Sequence, residues 1–194
     1  MNDRSTSETL IALGANEPNG PDAPRCTLDK ALAALNAHPG IAVKAVAPWV
    51  RSPAFPPGSG PDFVNGAARL ETDLTPNALL EALHRIEAQH GRTRRIRWEP
   101  RVCDLDLIAM GDLILPDAST QAAWARLRPD DAVTAIPERL ILPHPRIAER
   151  AFVLLPLLDI APDWRHPVTG LSVREMVTLL PRACRDEVVP LRCA

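Results

Sequence analysis

The chain has 194 residues, a formal net charge of -2 and a pI near 6.2, a length suited to one domain and a charge that creates no global field for nucleic acid or an anionic membrane. No apolar run approaches the roughly 18 residues of a membrane span, and "MNDRSTSETL" is polar and acidic where a signal peptide would be basic and then apolar, so a cytoplasmic location is expected. The 4 cysteines form no C-x-x-C pair, which argues against a zinc knuckle and for reduced thiols.

In chain order, "ETLIALGA" predicts a strand ending at Gly14, and "RCTLDKALAALNAHPG" a helix closed by Gly40. "IAVKAVAPWV" predicts a second strand, and "RSPAFPPGSGP" a surface loop rich in proline and glycine. "DFVNGAARLETD" alternates by two, so Phe63, Asn65, Ala67 and Arg69 share one face and Val64, Gly66, Ala68 and Leu70 the other. In "TPNALLEALHRIEAQHG", Thr75 is placed to cap a helix, Pro76 to open it and Gly91 to close it. "VCDLDLIAMG" predicts a strand with Asp104 and Asp106 on one face and Leu105 and Leu107 on the other. An insertion is expected at about 115–138, with one short helix around "TQAAWARL". "RIAERAFVLLPLLDIAP", broken near Pro156, and "SVREMVTLLP" predict helices. The order β-α-β-β-α-β followed by helices gives an α+β class: a ferredoxin-like α/β sandwich with a mostly antiparallel sheet flanked by helices, in a single domain over 1–194.

Four features carry chemistry. Carboxylates at i and i+2 on one strand face repel each other, and a cation must offset that repulsion. Mg²⁺ typically takes one or two carboxylates and fills its shell with water and phosphate, so Asp104 and Asp106 suit a Mg-nucleotide. Just before them, Arg92, Arg94, Arg95, Arg97 and Arg101 supply forked donors matched to phosphate oxygens. Alone, such an arginine run reads as a solvated or RNA-facing surface, but beside the aspartates it is what phosphoryl transfer needs. "ERLILPHPRIAERAF" offers a second anion site through Arg139, His144 and Arg150. Phe63 and Phe152 near the polar Asn65 suggest a flat heteroaromatic ligand.

The block "GRTRRIRWEPRVCDLDL", with "LIALGAN", "RSPAF", "DFVNGA", "RIEAQHGR" and "LPHPRIAERAFVLLPLLDIAP", resembles the 6-hydroxymethyl-7,8-dihydropterin pyrophosphokinase family of folate biosynthesis. The match runs in order from about Leu10 to Leu180, apart from the 115–138 insertion.

The resemblance implies an ATP-dependent diphosphotransferase that moves a diphosphoryl group from MgATP to the hydroxymethyl oxygen of 6-hydroxymethyl-7,8-dihydropterin and releases AMP. It implies two Mg²⁺ ions on Asp104 and Asp106, with Arg92 and Arg101 completing the catalytic set. It assigns ATP contacts to Glu87, Arg92, Arg94, Trp98, Arg101, Leu107, Arg139, His144 and Arg150. Pterin contacts fall on Ser52, Pro53, Phe55, Phe63, Asn65, Trp98 and Phe152. A monomer is implied, with ATP and the pterin as its partners and no nucleic acid or membrane. Two other readings stand beside it: a ferredoxin-like RNA-binding module using the arginine run, and a non-catalytic paralogue that binds pterin or nucleotide without turnover. The chain departs from the family pattern in "LGANEPNGPDAP", in a shorter arginine loop, and at Glu99, Ile141 and Pro145. Loss of a hydroxyl at Ile141, where threonine is frequent, removes about one hydrogen bond, or about 0.5–1.5 kcal/mol, and predicts weaker ATP binding.

Overall fold

A computed structural model of the chain describes residues 6–17, 24–54, 58, 60–91, 101–127 and 137–191. Six strands form one sheet: β1 (Ser7–Ala15), β2 (Ile41–Val46), β3 (Val50–Ser52), β4 (Phe63–Thr72), β5 (Asp104–Met110) and β6 (Val189–Pro190). The order is β5-β1-β4-β3-β6, with β2 also beside β4, and every recorded strand pairing is antiparallel. The central strand β1 lies between β4 and β5 and is buried from Thr9 to Ala15. Cover on both faces is why "TLIALGA" reads as a continuous apolar run and not as an alternation.

Among the described residues, six α-helices accompany the sheet: α1 (Pro24–Ala37), α2 (Pro76–Gln89), α3 (Ala118–Ala125), α4 (Ala151–Ile160), α5 (Val173–Leu179) and α6 (Arg182–Asp186). One sheet face packs Ile11, Leu13, Leu70, Leu105 and Leu107 against Leu28 and Leu35 of α1 and Leu79 and Leu83 of α2. The other packs Leu10, Ala67 and Ile108 against Val153, Leu154 and Leu157 of α4 and Met176 and Val177 of α5. The predicted faces of β4 hold: Val64, Ala68 and Leu70 lie in the first layer and Ala67 in the second.

The predicted start and stop of α2 are as the sequence reads. The Thr75 hydroxyl accepts from Ala78 N at 3.3 Å, Pro76 opens the helix, and Gly91 follows its end at φ +89°. Two predicted elements differ. "IAVKAVAPWV" is two strands, because Pro48 has no N–H to donate to the ladder. β2 therefore pairs with the far half of β4, and β3 with Phe63–Asn65. The expected break near Pro156 does not occur, and α4 runs through it after a 3-10 turn at Ile147–Glu149. An interior proline costs about 3 kcal/mol, whereas each buried leucine contributes about 1.5–3 kcal/mol, so Leu154 and Leu157 together outweigh it.

The predicted insertion helix begins two residues earlier than read, at Ala118, because Asp117 caps it. Hydrogen bonds from the Ser119 hydroxyl and from the Thr120 N–H and hydroxyl hold the Asp117 carboxyl down at about 2.

Candidate active site

The site is set by register. Asp104 on β5 pairs with Gly14 on β1, which pairs with Asn65 on β4, which pairs with Val50 on β3. The next row holds Asp106, Ala12 and Ala67. Because Leu105, Leu107 and Val64 face the α1/α2 layer, period-2 alternation puts Asp104, Asp106, Phe63 and Asn65 on the opposite face, beside the start of α4. Asp104 and Asn65 are two strands apart, about 10 Å at normal strand spacing. Gly14 between them leaves the floor open. A β-carbon there would lie 3.0 Å from Asn65 Oδ1 and 3.9 Å from Phe63 Cδ1.

Each aspartate has an arginine partner. Arg101 Nη1 donates to Asp104 Oδ2, and Arg150 Nη1 reaches Asp106 Oδ2 at 3.4 Å. Burial by itself would lower the Arg101 pKa, but the charge and hydrogen bond of Asp104, with Asp106 and Glu87 behind them, raise it. The Asp104 side chain is 12 % exposed and that of Asp106 38 %, so Asp106 is the more open of the two. Arg150 also stands 5.8 Å from the centre of the Phe152 ring, a cation–π contact that joins the anionic half of the face to its aromatic half.

His144 is half-buried in the turn before α4. Its backbone N–H donates to the Ile108 carbonyl at 2.8 Å, and its ring Nδ1 accepts from Arg146 N at 3.1 Å. An accepting Nδ1 leaves the ring proton on Nε2 as a donor. Burial, followed by the charges of Arg150 and Arg146, outweighs the backbone hydrogen bond and brings its pKa down to about 3. The imidazole is therefore neutral near pH 7, and a neutral N–H can approach a phosphate oxygen without titrating.

On the aromatic half, Asn65 Nδ2 donates to Ser52 Oγ at 2.9 Å, and both residues are buried. That bond fixes the amide, with Oδ1 toward Gly14. Phe63 and Phe152 are each half-buried, and Pro53 is exposed just after β3.

Not every predicted residue joins this face through its side chain. The Leu107 side chain is buried in the α1/α2 layer, because β-strand alternation turns it away from its neighbour Asp106. Glu87 is 2 % exposed, and its Oε1 accepts the Leu105 N–H at 2.7 Å, so it braces the strand between the two aspartates from behind. Arg139 is exposed. Phe55, Arg92, Arg94, Arg95, Arg97, Trp98 and Glu99 lie outside the described residues.

Asn16 was missed as a site residue. It is 4 % exposed. Its Oδ1 accepts from Arg101 N at 2.7 Å, its N–H donates to the Arg101 carbonyl at 2.9 Å, and its Nδ2 donates to the Pro61 carbonyl at 3.1 Å. It ties the end of the arginine segment to the end of the proline-rich loop. The signal was an asparagine closing a buried strand, read only as part of "LIALGAN".

The donor set fits a hard divalent cation. Two carboxylates project from one face, and among the described residues no group of three or more His, Cys, Asp or Glu is placed to hold a metal. A closed structural cage therefore fits poorly, while an ion completing its shell with water and substrate oxygens fits well.

The sequence model of 7,8-dihydro-6-hydroxymethylpterin-pyrophosphokinase (HPPK) matches residues 10–162. The chain belongs to the HPPK family. The 2-amino-4-hydroxy-6-hydroxymethyldihydropteridine pyrophosphokinase of Pseudomonas aeruginosa is 37 % identical over 171 residues, covering 88 % of this chain and 90 % of the relative. The enzyme of that name from Synechocystis is 39 % identical over 150 residues, covering 77 % of this chain and 66 % of its own length. A crystal structure of Plasmodium falciparum HPPK-DHPS shares the fold with a TM-score of 0.62 at 13 % identity. It matches 90 % of this chain, which spans 44 % of that longer one. Every HPPK site residue assigned above falls inside the matched stretch, and α5, α6 and β6 lie beyond it.

Proposed function

We propose that this chain, as an HPPK, transfers a diphosphoryl group from MgATP to the hydroxymethyl oxygen of 6-hydroxymethyl-7,8-dihydropterin and releases AMP, in folate biosynthesis. The observation that carries this reading is the sheet face itself. Asp104 and Asp106, each tied to an arginine, share that face with Asn65 and Phe63, and Phe152 and Arg150 stand at the start of the covering helix.

Asp104 and Asp106 would hold two Mg²⁺ ions, which when bound neutralise phosphate charge and favour a deprotonated attacking oxygen. The chain's own residues position the substrates around them. The pairs Arg101–Asp104 and Arg150–Asp106 balance the face without substrate. With a metal-bound triphosphate present, the carboxylates serve the cations and the guanidiniums turn to phosphate oxygens, where their forked donors fit. His144 offers Nε2–H to the same polyanion without adding charge. Asn65, oriented by Ser52, presents its Oδ1 to donors on the pterin edge, while Phe63 and Phe152 supply its stacking surfaces. Glu87 and Asn16 touch neither substrate and position the strand and loop that do. Arg92, Arg94, Trp98 and Arg139 complete the ATP side, with Leu107 contributing through its backbone, and Pro53, Phe55 and Trp98 complete the pterin side.

One chain supplies both halves of the site, which supports a monomer as the working unit, here proposed to act in the cytoplasm. Among the described residues no helix is long and apolar enough to cross a membrane. An acidic pair in the middle of the face is unfavourable for an RNA-binding surface, whose affinity comes from neutralising phosphate.

The test follows AMP from MgATP and 6-hydroxymethyl-7,8-dihydropterin, with and without EDTA. AMP in step with pterin diphosphate, abolished by EDTA, is the expected result. ADP as the product, or turnover that survives EDTA, would sink the reading.

A further inference from the structure

Helix α3 belongs to the segment inserted between β5 and the turn carrying His144. Gln121 is its one buried residue, at 1 % exposure. A short helix that buries an amide in place of an apolar stripe gains little from the hydrophobic effect, so the partner of that amide shows what the helix is anchored to. Gln121 Nε2 donates to the carbonyl of Pro143 at 3.1 Å and lies 3.5 Å from Nε2 of the buried His166. Pro143 is itself buried and immediately precedes His144.

The surroundings make this contact a stiff one. Leu115 and Leu142 exchange both backbone hydrogen bonds, at 2.9 and 3.1 Å, and Asp117 caps α3 just before Gln121. On its other side, the turn is held by the His144 N–H on the Ile108 carbonyl, two residues beyond Asp106 on β5. The turn is thus clamped between β5 and the inserted segment. The Pro143 carbonyl and the His144 N–H belong to one peptide unit, so Gln121 and Ile108 anchor its two ends just before the His144 ring.

We infer that Gln121 is a positioning residue for nucleotide binding: by donating to the Pro143 carbonyl it fixes the His144 ring over β5, so the inserted segment holds the phosphate side of the site in register. This rests on the diphosphotransferase reading above. It gives the insertion a role in ATP affinity, while the pterin contacts Asn65, Ser52 and Phe63 sit on β3 and β4.

Gln121→Met removes the donor while keeping chain length and volume. Two quantities decide the matter: the affinity for a MgATP analogue with an uncleavable α,β bridge, by calorimetry, and the KM for pterin at saturating MgATP. Loss of a buried hydrogen bond acting through one ligand-binding group should weaken nucleotide affinity roughly 5- to 20-fold, with the pterin KM within about twofold. In a His144→Ala background the same substitution should add little further loss, because its effect passes through that ring. Should Gln121→Met not fold, Gln121→Glu, which sets a carboxylate against the Pro143 carbonyl, is read by the same titrations. Unchanged nucleotide affinity in a folded variant, or an equal loss with and without His144, overturns the inference alone. Failure of the unmodified chain to bind the analogue would overturn the diphosphotransferase reading as well.

Discussion

Asp104 and Asp106 repel each other on one face of one strand, and the structure shows what offsets that repulsion: Arg101 and Arg150 sit on them. Both pairs are partly exposed, and such pairs are worth about 0–1 kcal/mol. Asp104→Asn and Asp106→Asn should therefore leave the melting temperature within a few degrees, about 2–4 °C per kcal/mol for a chain of this size. Turnover should fall at least about 100-fold, because metal-held charge stabilisation contributes several kcal/mol. Either variant retaining Mg-dependent AMP release would refute the metal assignment. Gly14 is tested on the other half of the face. In Gly14→Ala the new β-carbon presses on Asn65 Oδ1, so the KM for pterin should rise, by roughly 5- to 150-fold if the usual 1–3 kcal/mol of overpacking falls on the ligand, while the KM for MgATP stays near that of the unmodified chain. His144 gives a pH prediction. Its folded pKa of about 3 lies below the roughly 6.5 of an unfolded histidine, so between those values the unfolded chain binds the extra proton. The resulting stability is fully present above about pH 6.5 and declines as pH falls toward 3, with a slope of at most about 1.4 kcal/mol per pH unit for one proton. His144→Gln should flatten the acid limb of a melting-temperature profile, and a slope unchanged by it would show that His144 does not carry the effect.

Elements explain why these residues meet. α2 ends behind β5, and the buried Glu87 near its last turn takes the Leu105 N–H. Glu87→Leu leaves that donor without this acceptor and should cost about 1–3 kcal/mol in urea unfolding, whereas Glu87→Gln keeps an acceptor oxygen and should cost less. Equal losses in the two variants would mean that this bond is not what Glu87 contributes. The local rules that made α2 legible were short-range: a cap at Thr75, a proline at 76, leucines at helical spacing and a glycine at 91. The alternation in "CDLDL" made the two faces of β5 legible in the same way. What stayed hidden depends on contacts distant in sequence. Gln121 carries no local signal and Glu87 is assigned as an ATP contact by resemblance, while the burial of both follows from partners 22 and 18 positions away. The strand break at Pro48 has a local cause, but which halves of β4 then pair with β2 and β3 does not, and α4 continues through Pro156 because the sheet beneath it rewards burial. Asn16 carries no local signal of its role because its partners at Arg101 and Pro61 lie 85 and 45 residues on.

At the scale of the molecule, the functional face joins segments that begin at β1 and end at α4, packed together through Leu10, Ala67 and Ile108 against Val153, Leu154 and Leu157. Two ion pairs lie on that face: Arg101 with Asp104 at the end of β5, and Arg150, at the start of α4, with Asp106. A triphosphate with its metal would replace these two contacts with many, and a ligand that binds only the native state stabilises it by RT ln(1 + [L]/Kd). At 100 times Kd that is about 2.7 kcal/mol, which for a chain of this length should raise the melting temperature by roughly 5–11 °C. The shift should appear with MgATP, shrink strongly when EDTA is added, and be absent in Asp104→Asn, where the face retains its arginines but loses a metal-ligand charge. ATP without metal would test the arginines alone. A shift of the same size with EDTA present would mean that the guanidiniums and not the aspartates govern nucleotide affinity, and the acidic pair would then need another role.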